Sequence, residues 1–184
     1  GEECGEPLVT HEKVRKVTFT GSFNVGKIIA QKAAPKLCPV TLELGGKNPN
    51  IIMSDADLDI AIQGVIDGMR YTRQGQACTA GSRVYIQEKI YDKVLDGAVE
   101  KLSKLKMGNA LDESSDIGAI ISEEQLKRTL HYMDIAKKNS TTNVEHGGNQ
   151  LAGGDYKNGF FYEPTLMSGV PVSSPVCQEE IFGP

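Results

Sequence analysis

Several kinds of protein are excluded by what this sequence lacks. The formal net charge is -4, so there is no basic excess of the kind that binds nucleic acid. No apolar run approaches the ~18 residues of a membrane-spanning helix. The three histidines form no ligand pair with any cysteine, which disfavours zinc and predicts no metal site. We therefore expect a globular protein that binds neither nucleic acid nor a membrane.

The four cysteines also lack a pattern. They stand far apart, at positions 4, 38, 78 and 177, and no two of them have CxxC spacing. Because nothing else in the sequence resembles a secreted or disulfide-stapled protein, we predict reduced thiols and a cytoplasmic location.

Both ends of the sequence lack the usual markers of a complete chain. It begins without a methionine, shows no signal peptide and stops within a patterned stretch, residues 179–184. The 184 residues are enough for one large domain, or for one domain and part of another. We expect an internal piece of a larger protein.

Segments typical of strands and of amphipathic helices alternate along the chain. The pattern predicts strands at 14–20, 40–44, 50–53 and 83–87, and helices at 25–36, from about 58, at 90–105 and from 122. Asn24, Ser54 paired with Asp57, and Ser122 are the predicted helix caps. The alternation predicts an α/β fold, layered, with a largely parallel sheet and flanking helices. We place a domain boundary near residues 43–50, with 1–44 closing one domain and 45–184 forming a larger one.

Cys78 is the first candidate for chemistry. It lies among small residues in Gly75–Gly81, just before an apolar run, so a substrate has room to approach the thiol. A nucleophilic thiol also needs thiolate character from a helix end, a cation or a base. The alternative is a buried free cysteine that acts as a small hydrophobic residue, which we retain for Cys4, Cys38 and Cys177.

Three other stretches combine polar residues with glycine. A glycine turn between strand and helix, residues 19–22 followed by Gly26, can present backbone N–H groups to a phosphate, or is an ordinary turn. Glu43, at the end of an apolar strand beside two glycines, is a candidate general base, or a strand-edge glutamate paired with Lys47. Residues 179–184 could bind a hydroxylated ligand, or form an exposed acidic turn.

In this order and at roughly this spacing, the four stretches resemble the signatures of the aldehyde dehydrogenase superfamily. They are Phe19-Thr-Gly-Ser22, Glu43-Leu-Gly-Gly-Lys47, Gly75-Gln-Ala-Cys78 and Glu180-Ile-Phe-Gly-Pro184. The resemblance implies oxidation of an aldehyde by NAD or NADP, with Cys78 as nucleophile and Glu43 as base. It also implies a cofactor site formed by Gly21, Ser22, Gly26, Leu44, Glu180 and Phe182. Residues 1–44 would then be the C-terminal part of the cofactor-binding domain, and residues 45–184 a catalytic domain truncated at its C-terminal end.

The departures from that family matter as well. Its oxyanion asparagine, in a Pro-Trp-Asn-Phe-Pro-like stretch, and its adenine-ribose lysine have no counterpart here. We therefore expect little activity from these residues alone, and a small aldehyde substrate with a homo-oligomeric state, dimer or tetramer, for the full-length protein. Two alternatives remain open. One is a non-catalytic scaffold or binding module that retains the fold, and the other is a thiol hydrolase that pairs Cys78 with His131 or His146.

Overall fold

The computed structural model describes residues 2–184, which divide into two compact units at the bond between Gly46 and Lys47. Each unit has its own hydrophobic core. In the first unit, Val9, Ile29 and Ala33 are buried among partly buried apolar side chains that include Phe19 and Leu42. In the second unit there are two such clusters. The boundary assigned from sequence, between a cofactor domain and a catalytic domain, stays a prediction.

The first unit is a helix followed by a strand–helix–strand crossover. Its elements are α1 (Glu2–Thr10), β1 (Val17–Gly21), α2 (Phe23–Ala33) and β2 (Val40–Leu44). The two strands are parallel, with Thr20 opposite Glu43 and Gly21 opposite Leu44. Because parallel strands end at the same edge of a sheet, these four residues lie side by side. The predicted strand 40–44 is confirmed, whereas α1 was not predicted.

The second unit also begins with a parallel strand pair, followed by two short antiparallel pairs. Its elements are β3 (Pro49–Ile52), α3 (Leu58–Met69), β4 (Arg83–Ile86), α4 (Tyr91–Ser103), α5 (Glu123–Lys137), β5 (Asn143–His146), β6 (Gln150–Leu151), β7 (Phe161–Tyr162), β8 (Leu166–Ser168) and α6 (Pro175–Gln178). Strand β3 pairs with β4, β5 with β8, and β6 with β7. The parallel ladders contain five and four residue pairs, against three and two in the antiparallel ones, which confirms the α/β class.

The cores of the second unit follow the predicted helix faces. Helices α3 and α4 bury Val65 and Val94 in one cluster, which is closed by Ile52 of β3. Helix α5 buries Leu126 and Met133 in a separate cluster with Tyr162. No helix within residues 2–184 is long and apolar enough to cross a membrane.

Of the three predicted helix caps, one is wrong and one is right only in part. The hydroxyl of Ser22, rather than the side chain of Asn24, caps α2 by accepting from the N–H of Val25 at 3.3 Å. The carboxylate of Asp57 caps α3 alone, accepting from the N–H of Ile60, because that helix begins at Leu58, too late for Ser54 to act as the cap. In both cases the side chain directly before the first helical residue makes the bond. The cap of α5 by Ser122 is confirmed.

Two buried tyrosines differ in one hydrogen bond, and this difference predicts opposite responses to mutation. The hydroxyl of Tyr71 donates to the carbonyl of Thr165 at 3.0 Å, whereas the buried hydroxyl of Tyr162 has no partner in the part of the chain described. We expect Tyr71→Phe to lower the free energy of unfolding by about 1 kcal/mol, while Tyr162→Phe leaves it unchanged or raises it. Urea unfolding at neutral pH measures both.

Alkaline pH provides an independent check of the Tyr162 environment. Burial, helped by the charges of Glu163 and Asp134, raises the pKa of Tyr162 to about 12. The unfolded chain therefore releases this proton at a lower pH than the folded protein does. The contribution of Tyr162 to the free energy of unfolding is complete below pH ~10 and is lost as the pH rises toward the folded-state pKa. Tyr162→Phe should lessen this alkaline loss. An unfolding free energy that falls equally in the variant and in the parent protein would contradict the assignment.

Candidate active site

Cys78 lies at the exposed tip of a tight turn. The N–H of Ala80 donates to the carbonyl of Ala77 at 3.0 Å, which places Cys78 and Thr79 at the two central positions. The side chain of Cys78 is exposed, whereas Ala80 and Gly81 just after it are buried. The alternative of a buried, hydrophobic cysteine is therefore wrong for Cys78, because the turn ends in the core while its tip faces outward.

Within residues 2–184, no group accepts a hydrogen bond from the N–H of Cys78, and no histidine bonds to its thiol. His131, one candidate for a Cys–His pair, is an exposed residue of α5 whose ring packs edge-on against Tyr132. A thiol hydrolase that relies on such a pair gains no support from these contacts.

The side chain of Asn48, which is not part of the turn, hydrogen-bonds to two of its carbonyls. Its amide donates to the carbonyl of Cys78 at 2.6 Å and to the carbonyl of Ala80 at 3.2 Å. Asn48 is not among the site residues predicted from sequence. Its position directly after the Glu43–Lys47 stretch was the only available signal, since the contact partners are far away along the chain.

The cysteine loop is in direct contact with the terminal stretch, residues 180–184. Gly75 has a φ of +63°, and a Cβ there would lie 2.8 Å from the carbonyl carbon of Gly183 and 2.9 Å from Cε of Met69. Backbone therefore packs against backbone, which requires glycine at position 75. Two of the four predicted stretches thus meet in space.

Helix α5 binds the carbonyls of the same terminal stretch. The amide of Gln125 donates to the carbonyls of Ile181 at 2.9 Å and Phe182 at 2.8 Å. One turn further along α5, Arg128 donates to the carbonyl of Ile181 at 3.2 Å and to that of Glu180. These bonds hold Phe182 at a φ of +59°, which is uncommon for a residue with a side chain. Residues 180–182 are therefore anchored to α5 through their backbone carbonyls.

Lys47 lies within electrostatic range of Cys177, Arg83 and Glu180. Burial lowers the pKa of its ammonium group; the nearby Cys177 opposes the shift, Arg83 adds to it and Glu180 opposes it. The side chain is half-buried, and its backbone carbonyl accepts from the guanidinium of Arg83. The last residue of the Glu43–Lys47 stretch and the first of the terminal stretch therefore lie within electrostatic reach of one another.

The remaining candidate residues lie together in the first unit. Gly26 is buried, and a Cβ there would lie 2.7 Å from Cδ2 of Leu44, so α2 packs directly on β2. Gly21 and Ser22 form the link from β1 into α2, and Ser22 is its cap. Glu43 is exposed because successive side chains of β2 alternate between its two faces and its neighbours Leu42 and Leu44 face the helix.

The predicted site residues thus form two groups. Gly21, Ser22, Gly26, Glu43 and Leu44 lie in the first unit, and Cys78, Glu180 and Phe182 lie in the second. Within residues 2–184, no three or more histidine, cysteine or acidic side chains are arranged to hold a metal ion.

Comparison with known proteins identifies the family to which this chain is similar. The model of the aldehyde dehydrogenase family matches residues 1–184. The chain is 40% identical over 184 residues to the D-glyceraldehyde dehydrogenase (NADP(+)) of Picrophilus torridus, covering 100% of this chain and 37% of that protein.

Solved structures give the same result. A mutant of betaine aldehyde dehydrogenase from Staphylococcus aureus, without cofactor, has a TM-score of 0.94 and 40% identity over 100% of this chain and 36% of its own. The same enzyme in complex with NAD+ has a TM-score of 0.92 and 39% identity, over 98% of this chain and 35% of its own. The chain therefore spans little more than a third of the length of these relatives. The likeness in sequence and fold confirms the resemblance seen in the four stretches, and the chain belongs to the aldehyde dehydrogenase family.

Proposed function

We propose that the protein carrying this chain oxidises an aldehyde to a carboxylic acid with NAD+ or NADP+, by covalent catalysis at Cys78. The observation that carries the proposal is the exposed thiol at the tip of an anchored turn, next to an N–H that makes no hydrogen bond within residues 2–184. Family membership supports it, since the relatives are named as dehydrogenases of D-glyceraldehyde and of betaine aldehyde. Because these two aldehydes differ, the substrate is proposed only as a small aldehyde.

The first step is attack of the Cys78 thiolate on the aldehyde carbon. A carbon–sulfur bond forms, and the carbonyl oxygen becomes an oxyanion that the N–H of Cys78 can stabilise, since no group of the described residues takes up that donor. When bound, the nicotinamide cofactor supplies the hydride acceptor that allows this adduct to become a thioester. Small residues on either side, Ala77 and Thr79, leave room for the substrate.

Glu43 is proposed as the base of the second step. It takes a proton from a water molecule whose oxygen attacks the acyl carbon, so the carbon–sulfur bond breaks, the acid leaves and the thiolate is restored. An exposed carboxylate at the carboxyl end of β2 suits this role, because ligands of α/β folds bind beyond the carboxyl ends of the strands.

The residues assigned to the cofactor fit its chemistry. Gly21 and Ser22 lead into the eleven-residue helix α2, whose first-turn N–H groups and positive dipole end suit a pyrophosphate. Gly26 lets α2 approach β2 at Leu44. Glu180 offers a carboxylate to ribose hydroxyls, and Phe182 offers an aromatic side chain to the nicotinamide. Both belong to the segment that α5 anchors.

Four broader expectations belong to the same proposal. The protein is cytoplasmic and homo-oligomeric, a dimer or tetramer, and binds neither nucleic acid nor a membrane. Residues 1–184 by themselves are expected to be inactive, because they contain only part of the cofactor-binding groups typical of the family.

Trapping the acyl intermediate tests the proposal. In the native polypeptide, we expect Glu43→Gln to slow hydrolysis by about a hundredfold or more, so that the acyl group accumulates on Cys78 after addition of aldehyde and cofactor. Peptide mass spectrometry locates the adduct, with a panel that includes D-glyceraldehyde and betaine aldehyde, and with NAD+ and NADP+ in turn.

The exposed residue Glu12 provides the matched control, because Glu12→Gln removes one carboxylate from the same unit but outside the predicted site. This variant should turn over like the parent protein and accumulate no adduct. Failure of every aldehyde to modify Cys78, in the parent protein and in Glu43→Gln alike, would favour the non-catalytic scaffold instead.

A further inference from the structure

We propose that Asn48 is a positioning residue for Cys78, fixing the direction of its N–H and of the Cα–Cβ bond that carries its thiol. The inference rests on the proposed covalent role of Cys78. It concerns a residue outside the four signature stretches, whose side chain is brought to the cysteine turn only by the fold.

The two peptide groups that flank the Cα of Cys78 are each held by a hydrogen bond. The group before it is held through the carbonyl of Ala77, which accepts from the N–H of Ala80 at 3.0 Å. The group after it is held through the carbonyl of Cys78, which accepts from the amide of Asn48 at 2.6 Å. Because each peptide group is planar, holding both fixes the backbone dihedrals between them. Those dihedrals set the directions of the N–H and of the Cα–Cβ bond, from which the thiol extends.

The second hydrogen bond of Asn48 is made to the last residue of the turn, Ala80. The same amide nitrogen donates to the carbonyl of Ala80 at 3.2 Å, so one group spans the turn. Asn48 is itself held, since its own carbonyl accepts from the N–H of Arg83 at 3.2 Å, where β3 and β4 begin to pair. The turn is therefore tied to the parallel strand pair of the second unit.

An amide is well suited to this position because its nitrogen carries two N–H donors. Leucine has a similar volume and no donor, so Asn48→Leu removes both bonds without adding charge. Asn50 is the matched control. It lies two residues further along, and its amide donates to the carbonyl of Gly64, on α3, at 3.2 Å and not to the turn.

The experiment compares Asn48→Leu and Asn50→Leu in the native polypeptide by two readouts. Hydrogen exchange at the amide of Ala80 reports whether the turn stays closed, and the pre-steady-state rate of Cys78 acylation reports whether the thiol is aimed. We expect Asn48→Leu to speed exchange at Ala80 by about tenfold. It should slow acylation by about tenfold or more, with the KM for the cofactor unchanged. Asn50→Leu should stay within about twofold of the parent protein in both.

Each other outcome counts against a definite part of the inference. Unchanged exchange at Ala80 in Asn48→Leu overturns the idea that Asn48 holds the turn. Faster exchange with an unchanged acylation rate makes the role structural only and overturns the positioning role. If no aldehyde acylates Cys78 in the parent protein, the proposed function is overturned, and with it the catalytic part of this inference. Exchange at Ala80 would still decide whether Asn48 holds the turn. If Asn48→Leu does not fold, Asn48→Ser, which keeps one donor, should give intermediate values in both readouts.

Discussion

Replacement of Cys78 by serine is expected to lower kcat/KM for aldehyde oxidation by about a thousandfold or more. A serine hydroxyl has nearly the volume of the thiol but remains protonated at neutral pH, so it is a far weaker nucleophile unless a base activates it. The turn should survive, because its hydrogen bonds use the backbone of Cys78 and not its side chain. Steady-state kinetics with the best aldehyde of the panel measure the effect.

Cys4 makes a clean control for this replacement. It is the other exposed cysteine of the described residues, so the prediction of a buried Cys4 is wrong, and it lies on α1, in the first unit. Cys4→Ser should change kcat/KM by less than about twofold, as expected for a surface substitution outside the site. If Cys78→Ser kept more than a tenth of the parent activity, the thiol would not be the nucleophile, and another residue would have to carry the covalent step.

Gly75→Ala should lower the free energy of unfolding by about 3 kcal/mol or more. The added methyl group would overlap the carbonyl of Gly183, which is backbone and cannot rotate away, and Gly75 has a φ of +63° that disfavours any side chain. To relieve the overlap, the cysteine loop and the terminal stretch would have to separate. We therefore expect loss of activity along with loss of stability, measured by urea unfolding and by the same kinetic assay.

The same substitution at Gly64 should act in the opposite direction. Gly64 lies inside α3, and a Cβ there would meet no atom within 4 Å. Gly64→Ala should raise the free energy of unfolding by up to about 1 kcal/mol, because alanine favours the helix and nothing opposes it. Equal effects at both positions would show that Gly75 is not closely packed against Gly183.

Local patterns in the sequence were enough to predict most elements. Strand β2 and the cap of α5 at Ser122 are confirmed, because residue preference and capping act over a few neighbouring positions. The cap of α2 was misplaced by two residues and that of α3 was assigned to Ser54 as well as Asp57, since several hydroxyl, amide and carboxylate side chains compete there and only the exact helix start selects one. Helix α1 was missed altogether; it contains Pro7, which argues against a helix when read from sequence alone.

By itself, the sequence determined the family, the identity of the reactive residue types and their order, since these depend only on which side chains follow one another. Tertiary structure alone decided that Cys78 is exposed, that Asn48 reaches its carbonyl and that Gly75 packs on Gly183. The physical reason is that these contacts join positions far apart along the chain, and are made largely to backbone atoms. Every residue has the same carbonyl, so no pattern of side chains reveals which one a distant amide will bind.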